Sequence, residues 1–285
     1  RMMITVYITN YNYGNYVEEA IKSVLEQTYQ NLELLIIDDG STDDSLDKII
    51  RYEDHDKITV VKQKNLGLAK TNNVALRLAQ GDYIVRLDAD DRLHPDALEN
   101  LLKEFEQDEI GMVFGNWNVV DKSGSYLYTF KRHDFEDSVT LYDCPAHGAC
   151  TMFRTEYLKS IGGYDEELRC QDGYELWFRF VERFKVVNID KIIFDYRRHG
   201  ENLTGSDEKI LTTRANILRK YANKKSDFKS FALIPIRGEK IDGRSRPFNK
   251  INDKFLIDIL LADIVNFNVF DEIIVSSPDT QVIEH

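Results

Sequence analysis

Short apolar runs recur along the first part of the chain, each cut off by a polar or acidic turn and followed by a helix-period pattern. Met3 to Thr9 (MITVYIT) reads as a buried strand that runs into the polar turn Asn10-Tyr11-Asn12-Tyr13-Gly14. Val17, Ala20, Ile21, Val24 and Leu25 then fall at i, i+3, i+4, i+7 and i+8, which is one apolar helix face. Leu32 to Ile37 (LELLII) is a second strand, ended by Asp38-Asp39-Gly40-Ser41, and Asp43 to Tyr52 suits a helix with acids in its first turn. The alternation continues with a strand at Ile58 to Val61, a helix at Leu66 to Ala79, a strand at Tyr83 to Leu87 and a helix at Pro95 to Phe105. Such alternation implies βαβ units and a mostly parallel sheet. Runs as continuous as LELLII suit a sheet covered on both faces. The expected fold class is α/β.

Beyond Ile110 the rhythm changes. Ile110 to Val120 and Tyr126 to Phe130 read as longer, partly antiparallel strands around the turn Lys122-Ser-Gly-Ser125. A helix at about Gly173 to Phe184, strands near Val186 and Ile192, and a helix at Leu211 to Tyr221 follow. The polar stretch Ala222 to Lys229 reads as a linker, after which a strand at Phe231 to Ile236, a helix near Phe255 to Val265 and a strand at Glu272 to Ser276 form a fresh βα start. The expected division is a first domain at 1–221, a linker at 222–229 and a second segment at 230–285.

Charge limits the function classes. Thirty-seven basic against 49 acidic side chains give a net −12, which argues against a nucleic-acid binder with a general basic surface. A phosphorylated small molecule remains compatible, because a bound metal ion can invert the local sign. Cys144, Cys150 and Cys170 form no CxxC pair, so neither a disulfide framework nor a zinc knuckle is expected, and a reducing cytoplasm fits. No apolar run approaches the roughly 18 residues of a membrane span, and no signal-peptide pattern precedes the first strand.

In open parallel sheets, ligands sit outside the carboxyl ends of the strands. Thr9-Asn10-Tyr11-Asn12, Asp38-Asp39-Gly40-Ser41 and Asp88-Ala89-Asp90-Asp91 all fall at such ends. Asp88 and Asp90 can converge on one cation as hard oxygen ligands for Mg²⁺ or Mn²⁺. Taken alone, the same cluster also reads as a solvated turn or a cap for the following helix.

Together the motifs resemble a known family. Ile8 to Ser45 (ITNYNYGNYVEEAIKSVLEQTYQNLELLIIDDGSTDDS), Asn65-Leu-Gly-Leu-Ala69 and Gly81 to Leu98 (GDYIVRLDADDRLHPDAL) are similar to family 2 glycosyltransferases of the Rossmann-like GT-A fold, over about Met3 to His199. The resemblance implies transfer from a nucleotide-diphosphate sugar, most often a UDP-sugar, normally with inversion at the anomeric carbon. It implies that Thr9, Tyr11, Asp38 and Asp39 hold the nucleoside, that Asp88 lies toward the ribose and metal, and that Asp90 binds a Mn²⁺ or Mg²⁺ bridging the diphosphate. Where the family often has Pro-Thr-Tyr-Asn, this chain has Ile8-Thr9-Asn10-Tyr11-Asn12. Charge develops on the leaving nucleotide and is stabilised by a cation, and the acceptor hydroxyl needs a carboxylate base.

The family's acidic pair before Leu-Trp and Arg matches Gln171-Asp172-Gly173-Tyr174-Glu175-Leu176-Trp177. Aligning on Leu176-Trp177 instead sets Asp172 on the family's Glu and Gly173 on its Asp. Asp172 is the expected general base and Glu175 the second candidate; Asp172 also reads as a helix N-cap. Ala146-His147-Gly148-Ala149 and Ile161-Gly-Gly-Tyr164-Asp165 match segments that border the acceptor, so His147 touches acceptor or leaving phosphate, or is structural. Tyr196-Arg197-Arg198-His199 resembles a motif whose His and Arg approach the diphosphate or metal, with imidazole a competent Mn²⁺ ligand. Trp177, Phe180, Val181 and Phe184 sit at helical spacing as core.

Phe231 to Ser277 carries a second resemblance, to the start of cytidylyltransferases that make CMP-activated sugar acids. It implies a partial nucleotidyltransferase-like α/β unit whose basic loop, with Arg237, Lys240, Arg244 and Arg246, cradles a triphosphate. The loop is one residue shorter than that family's pattern. The segment spans about 55 residues, short of that family's metal-binding acids, so by itself it is expected to lack the activity. It reads either as the start of a longer bifunctional protein or as a degenerate tail for packing or dimerisation.

Three functional readings therefore stand at this point: a sugar transferase acting on a saccharide or lipid-linked acceptor in bacterial surface polysaccharide synthesis, a non-catalytic nucleotide-sugar or glycan-binding module, and a part of a CMP-sugar-forming protein. The first allows peripheral contact with the inner face of a membrane, although no basic amphipathic anchor stands out.

Overall fold

The computed structural model describes residues 2–106, 109–131, 139, 145–168, 170–199, 207–222, 231–236, 248, 250–266 and 270–277. β1 (Ile4–Asn10), β2 (Leu32–Asp38), β3 (Ile58–Lys62) and β4 (Tyr83–Asp88) are parallel and lie side by side in the order β3-β2-β1-β4. α1 (Val17–Leu25), α2 (Ser45–Ile50) and α3 (Leu68–Leu78) make the connections. All seven residues of β1 are buried because the sheet is covered twice: Ile4, Val6 and Ile8 face one apolar core with α1, while Tyr7 faces another with α3. This is the period-2 alternation of a central strand.

Strand order reverses between β1 and β4, which places a topological switch point at their carboxyl ends. Thr9 pairs with Asp88 there, and Asn10 pairs with Asp38. The three polar turns expected to carry chemistry are thus neighbours on one edge.

The rest of the first compact unit, Arg1–Ile210, extends the sheet. β5 (Arg92–Leu93), α4 (Ala97–Lys103), β6 (Ile110–Val120), β7 (Tyr126–Phe130), β8 (Met152–Arg154), α5 (Thr155–Ser160), α6 (Asp172–Val181) and β9 (Lys185–Arg197) follow in sequence. β8 runs antiparallel between β4 and β6, β7 pairs antiparallel with β6, and β6 pairs parallel with β9. The strands read separately near Val186 and Ile192 are one 13-residue strand. Its register against β6 shifts three times, and Gly115 is what lets it lie so close. A Cβ at Gly115 would meet the Lys191 carbonyl oxygen at 2.7 Å and the Ile193 side chain closer still.

Asp195 of β9 holds the short strand β5 in place. Arg92 Nε donates to it at 2.6 Å, His94 Nε2 pairs with it at 2.7 Å and Asn118 Nδ2 donates at 3.1 Å. Burial opposes its charge, yet the hydrogen bonds from His94 and Arg92, the His94 charge and Asn118 together lower it from 3.8 to about 2.

The second compact unit spans Leu211–His285. It contains most of α7 (Asp207–Ala222), β10 (Phe231–Pro235), the hairpin of β11 (Lys250–Ile251) and β12 (Lys254–Phe255), α8 (Leu256–Asn266) and β13 (Glu272–Ser276). β10 and β13 pair parallel in register from Phe231–Glu272 to Pro235–Ser276, so the chain makes a strand–helix–strand crossover. Among the described residues no helix is long and apolar enough to cross a membrane.

Two outcomes follow from this packing. Gly115→Ala forces β9 off β6 and lowers the melting temperature by about 3–10 °C, the equivalent of roughly 1–3 kcal/mol of overpacking; an unchanged melting curve would refute the close-approach argument. Because the folded-state value of Asp195 lies below the ordinary one, its stabilisation is complete above about pH 4 and fades as pH falls toward 2. Asp195→Asn is therefore less stable at pH 7, and its denaturant midpoint changes less than wild type's as pH falls through that window.

Candidate active site

The switch-point turns brace one another through side chains. Asn10 Nδ2 donates to Asp38 Oδ1 at 2.8 Å and to Ser41 Oγ at 3.0 Å, while Asp38 Oδ2 accepts from the Ser41 amide at 3.1 Å. Asp39 accepts from Gln63 Nε2 at 2.7 Å and from the amides of Leu66 and Gly67 at 2.8 and 2.9 Å. Gly67, with φ 86°, is non-helical, so α3 begins at Leu68 rather than Leu66. The structure thus places both acids of the Asp-Asp-Gly-Ser turn as buried loop braces beside the crevice. Tyr11, by contrast, stands 45% exposed at its rim.

Thr9 Oγ1 donates to Asp88 Oδ1 at 3.3 Å. Asp88 also faces Arg86, two residues back in the strand, with Nε 2.9 Å from Oδ1. Arg86 is only 5% exposed, and its Nη1 donates to Asp172 Oδ2 at 2.7 Å. Burial works against the guanidinium charge, but Asp88 and then Asp172 more than restore it. Asn72 Nδ2 donates to the same Asp172 oxygen at 2.9 Å. Among the described residues, Asp172 Oδ1 accepts no hydrogen bond. Asp172 is the first residue of α6, not its N-cap. Gln171 occupies the N-cap position in a left-handed conformation with φ 61° and caps nothing with its side chain.

Glu175, one turn further on, is 1% exposed. Arg179 clamps it, with Nε 2.9 and 3.0 Å from its two oxygens and Nη2 at 2.7 Å, and also donates to the carbonyls of Ile161 and Gly163. Its geometry is that of a loop clamp.

Asp90 faces His199, with Oδ2 2.9 Å from Nε2. The imidazole is stacked on Tyr16 and met edge-on by Tyr13. Burial, then the Asp88 charge, push the Asp90 carboxyl up, against the pull of His199. Asp91 is pushed well above the usual carboxylate range by burial and by Asp90 and Asp88. The Tyr13 hydroxyl rises too, by burial first and by the same three acids after it. This self-repelling negative charge is the electrostatic setting that a cation relieves. One hard oxygen and one imidazole nitrogen suit Mn²⁺, and Mg²⁺ through the oxygen alone; either ion completes its shell with waters and substrate phosphates. Among the described residues, no three His, Cys, Asp or Glu side chains already converge as a ready cage.

Arg197 is scaffold. Its Nε donates to the Asp90 carbonyl at 2.9 Å, its Nη2 pairs with Glu19 at 2.6 Å, and its amide donates to Asp91 Oδ1 at 2.9 Å. Arg198 is exposed, with its amide bonded to the Val120 carbonyl. His147 accepts the Ala149 amide on Nδ1 at 3.1 Å and packs against Trp117, Phe194 and Tyr196. It lines a small cavity together with Gly148, Gly173 and Trp177, beside the start of α6. Arg237, Lys240, Arg244 and Arg246 lie outside the described residues.

Motif reading passed over Arg86 and Asn72. The signal for Arg86 was in plain view, since a charged residue inside an otherwise apolar central strand must have partners. Asn72 gives no such signal, because an Asn in a helix reads as surface until the fold buries it.

Comparison with known proteins agrees with this geometry. The model of glycosyl transferase family 2 matches residues 5–162. Chondroitin synthase of Escherichia coli is 32% identical over 206 residues, covering 70% of this chain but only 29% of that protein. Staphylococcus aureus TarS 1–349, solved with UDP-GlcNAc, superposes with a TM-score of 0.66 at 20% identity, over 79% of this chain and 67% of that one. The mannosyltransferase PcManGT of Pyrobaculum calidifontis, solved with GDP-Man and Mn²⁺, gives 0.60 at 22% identity, over 80% and 66%. The likeness to these structures establishes the GT-A fold. With the family match over more than half its length, the chain belongs to glycosyl transferase family 2.

Proposed function

We propose that the chain transfers a sugar, with inversion, from a nucleotide-diphosphate sugar to a hydroxyl of a saccharide or lipid-linked acceptor in polysaccharide synthesis, with Asp172 as general base. One observation carries the choice of base: among the described residues, Asp172 has one oxygen held by Arg86 and Asn72 and the other without a partner, whereas Arg179 engages both oxygens of Glu175. In this reading Asp172 Oδ1 takes the acceptor hydroxyl proton as the hydroxyl oxygen bonds to the anomeric carbon. The bond from that carbon to the diphosphate breaks, and its electron pair leaves on the phosphate oxygen. Thr9, Tyr11, Asp38 and Asp39 frame the nucleoside at the switch point. Asp90 and His199, with Asp88 beside them, would hold a divalent cation, which when bound would supply Lewis-acid stabilisation of the leaving diphosphate. A UDP-sugar donor is supported by TarS, which was solved with UDP-GlcNAc. Polysaccharide synthesis is supported by the chondroitin synthase relative.

For the second unit we propose a nucleotidyltransferase-like crossover, on the support of the parallel β10–β13 pair around α8. Nothing else in the described residues favours a CMP-sugar activity.

Nucleotide release from UDP-GlcNAc, UDP-glucose, GDP-mannose and a CMP-sugar, with and without Mn²⁺, tests the main reading. Turnover of one donor that stops on chelation and falls at least about a hundredfold in Asp90→Ala is expected; a wild-type rate for Asp90→Ala would sink the metal assignment, and a chain that binds but never turns over any donor is a binding module. For the base, Asp172→Asn loses about 10²–10⁴-fold in kcat. Glu175→Gln instead lowers the melting temperature and leaves kcat of the folded fraction within a few-fold. The reverse pattern would move the base to Glu175.

A further inference from the structure

Arg86 lies in the middle of β4, where an unpaired guanidinium is prohibitive. Two acids compensate it, and they belong to opposite sides of the site. Asp88, at Nε, stands at the donor end of its own strand. Asp172, at Nη1, opens α6 on the acceptor side. Nη2 lies 3.5 Å from the second Asp88 oxygen, so one planar group spans both carboxylates.

The orientation of that group is over-determined. Asn72 fixes the same Asp172 oxygen that Arg86 holds, and its own Oδ1 accepts the Tyr7 hydroxyl at 3.2 Å. The Tyr164 hydroxyl lies 3.4 Å from that of Tyr7 and extends the network. The free face of the guanidinium is closed by backbone. A Cβ at Gly148 would come within 2.9 Å of Arg86 Nη2, and a Cβ at Gly173 within 3.0 Å of Gly148 Cα. Neither glycine has a positive φ, so close approach, not turn geometry, is what each provides. The Cys150 amide donates to the Arg86 carbonyl at 2.7 Å and pins this segment against the strand.

We propose that Arg86 is a positioning residue: it sets the place of Asp172 relative to the donor-side carboxylate Asp88, Asn72 is its second prop, and Gly148 is the seat that fixes its orientation. This rests on Asp172 being the base. Its content is that the reach between base and donor is fixed by one guanidinium fork, a function that the point charge of lysine cannot supply. A displacement of about 1 Å at a base is enough for about a hundredfold loss in rate.

The test compares Arg86→Lys and Gly148→Ala with wild type by UDP calorimetry and by UDP release from UDP-GlcNAc and GDP-mannose with Mn²⁺. Arg86→Lys is expected to lose about a hundredfold in kcat, with KM and UDP affinity within about threefold of wild type. Gly148→Ala, which alters no charged group, falls in the same direction by about tenfold or more. Wild-type kcat in both variants would overturn the proposal, as would UDP affinity dropping in step with turnover. Asp172→Asn separates the two layers: at wild-type rate it removes the base reading, whereas a slow Asp172→Asn beside a fast Arg86→Lys removes only the positioning role. A crystal structure of Gly148→Ala is the donor-independent check, and Asp172 still within hydrogen-bond reach of an unmoved Arg86 would refute the seat.

Discussion

The ion pairs of Arg86 are the constraint around which the first unit is arranged. Placing a guanidinium in a central strand sets a demand of several kcal/mol that hydrophobic packing cannot meet. Asp88 alone would meet part of it within the strand. The second acid, Asp172, has to come from nearly ninety residues away, so the sequence between must deliver α6 to this point. β8 runs alongside β4 just after Gly148, and the Cys150 amide anchors that approach. A long-range contact thus joins the two groups closest to the proposed chemistry. Replacing such a pair by apolar residues often leaves a protein as stable or more so, whereas removing one partner alone is costly. Retention of the charged version therefore argues for use rather than for stability.

A second tension is left unresolved by the chain itself. Asp88, Asp90 and Asp91 crowd the end of β4, and burial and mutual repulsion push the last two upward. Arg86 answers Asp88, but the arginines beside the other two are spent largely elsewhere. Arg197 holds the Asp90 carbonyl and Glu19, while Arg92 holds Glu19 and Asp195. That chain of pairs freezes the loop without neutralising its carboxylates. A frame that is rigid and under-neutralised is a poor way to gain stability and a good way to bind a cation together with a diphosphate.

How far this was legible beforehand depends on the kind of signal. The parallel core could be read because LELLII and its neighbours are continuous apolar runs, and the antiparallel β6–β7 pair because a Gly-Ser turn separates two strand patterns. β5, β8 and α5 are two, three and six residues long, too short to show any period. β9 was divided because Asn188, Asp190 and Lys191 interrupt its apolar pattern where it passes β6, and a register shift hides there. Arg197 read as a ligand-facing charge beside His199, yet its side chain turns inward to carbonyls and Glu19. Sequence identifies which residues carry charge; only the strand's direction decides whether that charge faces substrate or scaffold. The net −12 behaves the same way: as a total it excludes a polyanion-binding surface, but its meaning lies in a few acids at strand ends.

The two acids of α6 show how finely that decision is made. Asp172 and Glu175 are three residues apart, so their side chains lie on neighbouring parts of one helix face, and both are buried. What separates them is Arg179, four residues beyond Glu175 and seven beyond Asp172. At i+4 it reaches Glu175, and its remaining donors reach Ile161 and Gly163, where a left-handed glycine turns the loop. At i+7 it is one turn too far to reach Asp172, whose partner must be Arg86 from the sheet. Asp172 in the first turn also sits where the helix dipole favours a negative charge. A helix of ten residues therefore divides its work by position: the first turn presents an acid to the crevice, and the next turn uses an acid of the same kind to lock the loop that flanks it.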